Sequence, residues 1–456
     1  MRGGTRAAAT VRILTLGCAK NAVDSEVMAG VLAAGGYRIV SRGRADVGIV
    51  NTCGFIREAK EESIGEILAM ARGKGRGSIR HLVVAGCLAK RYREDLPKAL
   101  PEVDLFAGPD DIPALPGMLR KLVGGSAARS PKETESLPEE AYRKRMRRPG
   151  EASAYVKILE GCDNRCAYCA IPEIRGPLRS RDPESVVAEV RMLARRGTGE
   201  INLVGQDITS YGADRREKRA LPRLVRAICA VRGVRWVRLL YLYPGRLDDE
   251  LVDLMAEGGK VCRYLDIPVQ HIDPEILAGM GRRYGPDEVW GLLGRLRERV
   301  PDIFLRTSVI VGFPGETPAA FRRLLHFVHE SRWDYLGVFP YSREEGTPAW
   351  SMRGQVGETV KRERARRIRD AQADILSARN ATMAGRALEV LVEETRGRGR
   401  AIARHRGQAP EVDGNVILSG YRGAAGRFCR ARVTGSREWD LLAKAVDTGE
   451  APGILT

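Results

Sequence analysis

From residue 11 to about 123, short apolar runs (VRILTLG, VGIVNT, HLVVAG, DLFAG) alternate with segments such as REAKEESIGEILAMA, where apolar positions recur at helical spacing. Alternation of this kind predicts a parallel α/β sheet domain over residues 11–124. The pattern then lapses. From Gly124 to Ser153 the chain reads GGSAARSPKETESLPEEAYRKRMRRPGEAS, rich in Pro, Gly, Ser and charge, which predicts a linker over 125–152.

Six further strand candidates follow, AYVKILE, INLVGQD, WVRLLYL, YLDIPVQ, FLRTSVIVG and YLGVFPY, each succeeded by helix-like sequence. They predict a partial (βα) barrel, and with the charged helix TVKRERARRIRDAQADILSARNATMA this second domain spans 153–384. In such barrels the loops after the strands carry the chemistry. The last runs, EVLVEE, AIARH, NVILSG and FCRARVTG, are separated by Gly-rich turns and predict a small antiparallel β barrel over 385–450.

Composition narrows the class. At 456 residues the chain exceeds what one core usually supports. No stretch approaches the roughly 18 consecutive apolar residues of a membrane span, and the opening MRGGTRAAATVRIL lacks an apolar leader, so a cytoplasmic location is expected. A formal charge of +18 favours encounter with an anionic partner, although Arg is spread along the whole chain and a compositional bias explains it equally well. Nine cysteines in a chain of this length are too sparse for a disulfide framework and point instead to ligation.

Three of them, Cys162, Cys166 and Cys169, stand in GCDNRCAYC directly after the first barrel strand. Thiolates are the ligands of iron-sulfur clusters, and three of them hold a 4Fe-4S cubane with one iron open. A structural zinc site normally takes four ligands from paired knuckles, and no second pair follows; inert buried thiols remain the other alternative. Cys18, Cys53 and Cys87 each follow a predicted strand of the first sheet. Parallel strands end on one edge, so these three are expected to converge as a second open-iron site, the alternative being three small buried hydrophobes. Cys229, Cys262 and Cys429 have no partner spacing and read as structural thiols.

The GCDNRCAYC loop resembles the radical S-adenosylmethionine superfamily, in which the open iron chelates the amino and carboxylate groups of S-adenosylmethionine and an electron from the cluster releases a 5'-deoxyadenosyl radical. That resemblance implies that Tyr168 lies near the adenine, that Gly205 and Gln206, with Asp207, contact the methionine moiety, and that Gln270 and Gly312 of the GFPGE stretch line the cofactor site. LGCAKNAVDSE, NTCGFI and AGCLAKR resemble the N-terminal domain of methylthiotransferases, which carry two 4Fe-4S clusters, one for the radical and one for the sulfur. VDSE, NTCGFIREAKEES, LDIPVQHIDPEILAGMGRR, FPYSREEGTPA and APEVDGNV are similar to the branch that modifies small-subunit ribosomal protein twelve rather than transfer RNA. Ala19 departs from the proline usual in that branch.

The resemblance implies a methylthio group placed on the β-carbon of an aspartate in that ribosomal protein, and a C-terminal TRAM-like barrel that engages the protein substrate. Glu389, Glu393, Glu394, Glu411 and Asp413 in this barrel read as a solvated polar face, with an acidic docking surface as the alternative. No side chain stands out as an acid or base. Transfer RNA methylthiotransferase and non-catalytic iron-sulfur ribosome-binding protein are the competing readings; the sulfur donor and the electron donor stay unassigned.

Overall fold

The computed structural model describes residues 8–125, 137–148 and 150–446; the first seven residues, most of the linker's first half and the last few residues assigned to the C-terminal barrel lie outside them. Three bodies follow in chain order. The first is a five-stranded parallel sheet of β1 (Thr10–Thr15), β2 (Arg38–Ile39), β3 (Ala45–Thr52), β4 (Ile79–Gly86) and β5 (Leu105–Ala107), in the order β2-β1-β3-β4-β5. Val11, Val47, Ile49 and Val83 bury one face against the helix Ala19–Ala34, while Val50, Leu82 and Val84 bury the other against the helix Arg57–Gly75. Burial on both faces is why these strands read as unbroken apolar runs. Only β2 is absent from the sequence reading, being two residues long.

The second body is a six-stranded parallel sheet of β6 (Ser153–Lys157), β9 (Glu200–Val204), β10 (Trp236–Leu239), β11 (Val261–Asp266), β12 (Phe304–Val311) and β13 (Tyr335–Pro340), neighbours in that order. All six predicted strands are present. The short β7 (Leu159–Glu160) and β8 (Arg179–Ser180) pair antiparallel and tie together the two ends of the loop that holds Cys162, Cys166 and Cys169. One side chain face of the sheet, with Ile201, Leu203, Val237, Leu239, Leu265 and Leu305, packs on the surrounding helices. The other carries Glu200, Trp236, Arg238, Cys262 and Tyr264, and the third body packs against it.

That third body is a closed barrel of β14 (Ala387–Thr395), β15 (Arg400–His405), β16 (Val416–Ser419), β17 (Phe428–Arg437) and β18 (Asp440–Ala445). It is antiparallel except where β16 meets β18. An odd number of strands cannot close a ring with every pair antiparallel, so a fifth strand, β18, forces one parallel pair. The helix Glu358–Ala381 leads into it, burying Ala365, Ile368, Ala371 and Leu376 along one stripe.

The seam between barrel and C-terminal body corrects the solvated reading for Glu389 and Asp413, while Glu393, Glu394 and Glu411 are exposed as that reading has them. The Asp413 carboxylate is fully buried, accepting from the Tyr264 hydroxyl at 2.8 Å and pairing with Arg306 at 3.3 Å. Glu389 accepts from the Trp236 indole at 2.9 Å, and Glu393 from Arg404 at 2.7 Å. Glu200 holds Arg404 at 2.6 Å and Arg238 at 2.9 Å, all three fully buried.

The second half of the predicted linker is not a free tether. Residues Glu139–Arg143 form a helical turn, and beyond it two arginines run along β6, the edge strand of the sheet. Arg145 donates to the Tyr155 carbonyl at 2.8 Å, Arg147 to that of Ser153, and Arg181 to that of Lys157 at 2.7 Å. Three successive carbonyls on the unpaired side of β6 thus receive guanidinium donors instead of a neighbouring strand.

Candidate functional site

Cys18 caps the N-terminus of the helix Ala19–Ala34, Cys53 follows β3 directly, and Cys87 opens the short helix Cys87–Arg91 after β4. Since β1, β3 and β4 are adjacent and parallel, the three cysteines gather on one sheet edge. Gly17 lies so close to Cys53 that a Cβ there would stand 3.2 Å from its sulfur. Burial pushes the Cys53 thiol up to about 11, and the Cys18 and Cys87 charges add to it. Burial likewise raises Cys87, against the opposing charge of Arg175. Cys18 is the exception: burial is outweighed by Lys20 and by the backbone N–H groups of Asn21 and Lys20, and its thiol is lowered.

The second triad lies at the carboxyl edge of the barrel sheet. Gly161, with φ +71°, turns the chain after β7. The loop is pinned by Cys162 N–H to the Gly176 carbonyl at 3.2 Å, Cys169 N–H to Cys166 at 3.0 Å and Ala167 N–H to Met280 at 2.9 Å. Burial pushes Cys162 up to about 11 and Cys169 up to about 12, with the neighbouring thiolates contributing in both cases. Arg282 approaches the Cys166 sulfur to 3.5 Å.

In both places buried thiols crowd together, which suits a cationic cluster core, and a guanidinium donates to one sulfur of each triad, Arg175 to Cys87 and Arg282 to Cys166, where it offsets thiolate charge. Among the described residues no three Cys, His, Asp or Glu close around a single ion. A cubane offers each thiolate a different iron, so three thiolates without a shared centre are a donor set that could hold a cluster.

The remaining candidates divide. Gly205 and Gln206 follow β9; the Gln206 amide donates to Glu160 at 3.1 Å while its oxygen is buried without a partner. Asp207 is occupied, accepting from Asn164 of the cysteine loop and from Arg246, both at 2.8 Å. Gln270 adopts φ +63° beyond β11, its backbone bonded to Ser308 at 2.8 Å and Ile310 at 2.7 Å. Gly312 ends β12 with its N–H on Glu316, which Arg364 holds at 2.9 Å. These five residues follow β9, β11 and β12 at the carboxyl edge of the one sheet, with β10 between β9 and β11. Tyr168, in the cysteine loop, is partly buried against Ile276, Met280, Phe313 and Tyr341.

Sequence reasoning missed a buried quartet between the two triads. Lys157, at the end of β6, bonds both Asp24 and Glu160, and Arg175 bonds the same two carboxylates at 2.8 and 3.3 Å. The one signal was a lysine inside the apolar run AYVKILE. Lys20 also crosses the seam, 3.6 Å above the ring of Tyr241, which follows β10. Cys229 packs against the apolar core of the barrel and Cys429 lies in that of the C-terminal body, while Cys262 is buried in the seam between them beside Arg238 and Arg406.

Comparison with known proteins agrees with this layout. The radical SAM superfamily model matches residues 156–328, the uncharacterized protein family UPF0004 model residues 10–108, and the TRAM domain model residues 384–446. A radical S-adenosylmethionine methyltransferase from Kitasatospora setae, TsrM, shares the fold at TM-score 0.55 and 17% identity, over 75% of this chain and 77% of that one. Ribosomal protein uS12 methylthiotransferase RimO of Syntrophotalea carbinolica is 45% identical over 96% of this chain and 97% of its own. The protein of the same name from Heliobacterium modesticaldum is 45% identical over 98% of each. With identity sustained along nearly the full length of both chains, the protein belongs to the ribosomal protein uS12 methylthiotransferase family of radical S-adenosylmethionine enzymes.

Proposed function

We propose that this chain is a cytoplasmic radical S-adenosylmethionine methylthiotransferase that places a methylthio group on the β-carbon of an aspartate in ribosomal protein uS12. The observation that carries the reading is the pair of cysteine triads, each at the carboxyl edge of its own parallel sheet and both bordering one domain seam. Three units divide the work: 11–124 handles sulfur, 153–384 makes the radical, and 385–450 presents the substrate.

Cys162, Cys166 and Cys169 would hold the cluster that binds S-adenosylmethionine, and Cys18, Cys53 and Cys87 the cluster associated with sulfur. When bound, these groups supply one-electron cleavage of a carbon-sulfur bond and a sulfur to be methylated and transferred. The chain's own residues bind and orient. Gly205 and Gln206 offer a backbone approach and a free amide oxygen at the cofactor's methionine end, Gln270 and Gly312 continue that wall, and Tyr168, partly buried within the cysteine loop, would lie near the adenine. A radical route suits a carbon too weakly acidic for a base, and no side chain is assigned as acid or base.

The test is anaerobic reconstitution followed by mass spectrometry of purified uS12 and of transfer RNA offered in parallel. Methylthiolated aspartate in uS12 with unchanged RNA is expected; modified adenosine with unchanged uS12 overturns the reading. Replacing Cys18, Cys53 and Cys87 by Ala is expected to retain reductive cleavage of S-adenosylmethionine and abolish methylthio transfer, read by chromatography of 5'-deoxyadenosine.

A further inference from the structure

Arg175 belongs to the barrel body, in the helix Ile171–Arg175 just beyond Cys169, yet its guanidinium reaches into the N-terminal body. Its Nη2 lies 3.0 Å and its Nε 3.3 Å from the Cys87 sulfur. The remaining donors are fixed by Asn21 at 2.8 Å, Asp24 at 2.8 Å and Glu160 at 3.3 Å, and the side chain is 2% exposed. Around it, Cys87 packs with Ala170 and Ile174, so the two bodies meet at this sulfur.

A planar fork held by carboxylates from both bodies cannot turn away from the sulfur it donates to. Hydrogen bonds to a cluster's sulfurs stabilise the extra negative charge of the reduced form and raise its potential. We infer that Arg175 is a positioning residue that keeps two N–H donors on Cys87 in the loaded protein, setting the potential of the N-terminal cluster from the neighbouring domain. This rests on the assignment of Cys18, Cys53 and Cys87 as cluster ligands proposed above.

The experiment isolates that cluster in the full chain carrying Cys162→Ala, Cys166→Ala and Cys169→Ala, titrated by EPR at controlled potential. Adding Arg175→Met is expected to lower the reduced-to-oxidised ratio at fixed poise about tenfold, equivalent to about 59 mV for one electron. Arg175→Lys, which keeps the charge but offers one donor site, is expected to fall between. A merely structural role would not grade the potential in this way, and equal potentials in all three chains overturn the inference. A second readout needs no change at 175. With 15N-arginine in the parent chain, pulsed EPR of the reduced cluster is expected to show a weak 15N coupling, and its absence also overturns the inference. A parent chain that takes up no iron overturns the ligand assignment itself.

Discussion

Two glycines set the cysteine loops. Gly86, at φ +94°, precedes Cys87, and a Cβ there would stand 2.3 Å from the Asn51 side-chain oxygen. Gly161, at φ +71°, precedes Cys162, and its Cβ would meet the Pro177 carbonyl at 1.9 Å. Replacing Gly161 by Ala therefore collides with backbone as well as straining the turn, at a cost of about 1–3 kcal/mol for the conformation alone. Iron content of the reconstituted Gly161→Ala chain is expected to fall by about half, with the N-terminal site still loaded. The cysteines were legible because a ligand's chemistry is written in its residue type and spacing. Asp24, Glu160 and Arg175 were not: charged residues in surface-like contexts acquire their role only when two bodies bury them together. Lys157→Met leaves Asp24 and Glu160 to share one guanidinium, and destabilisation of about 3–5 kcal/mol is expected in chemical denaturation.

At the scale of elements, strands within apolar runs were read correctly, even the three-residue β5, and β2 and β18, which lack such a run, were not. β2 has two residues and no pattern to read, while DLLAKA, which forms β18, mixes strand and helix formers. The seam was hidden for another reason. Glu200 begins a strand that is buried on every residue, so its alternation could not show which face meets solvent. Burial alone would raise the Glu200 carboxyl, but the Arg404 and Arg238 guanidiniums outweigh it and hold the pKa at about 2. A depressed carboxylate contributes stability above its unfolded value of about 4.5, and that contribution is lost as pH falls towards 2. Glu200→Gln is expected to cost about 3–5 kcal/mol at pH 7 by leaving both arginines uncompensated. The difference between the two cluster-free chains, read from denaturation midpoints, is expected to shrink as pH is lowered from 4.5.

On the scale of the whole molecule, three bodies are joined by buried polar seams rather than tethered. Glu344, after β13, pairs with Lys60 at 2.7 Å and Arg91 at 2.8 Å from the N-terminal body, and Arg91 also donates to the Gly54 carbonyl beside Cys53 at 2.8 Å. Calorimetry of the loaded chain is therefore expected to show one transition, and separate melting of the C-terminal barrel would contradict the seam energetics. The arginines along β6 carry a further consequence. A bare strand edge is a template on which an extended peptide docks by adding itself to the sheet. Arg145, Arg147 and Arg181 already occupy the carbonyls of Ser153, Tyr155 and Lys157, so β-augmentation on this edge is closed to any partner. Any strand added to this sheet would have to join at β13, its other edge, so a partner gains no backbone pairing beside the strand that leads into the cysteine loop.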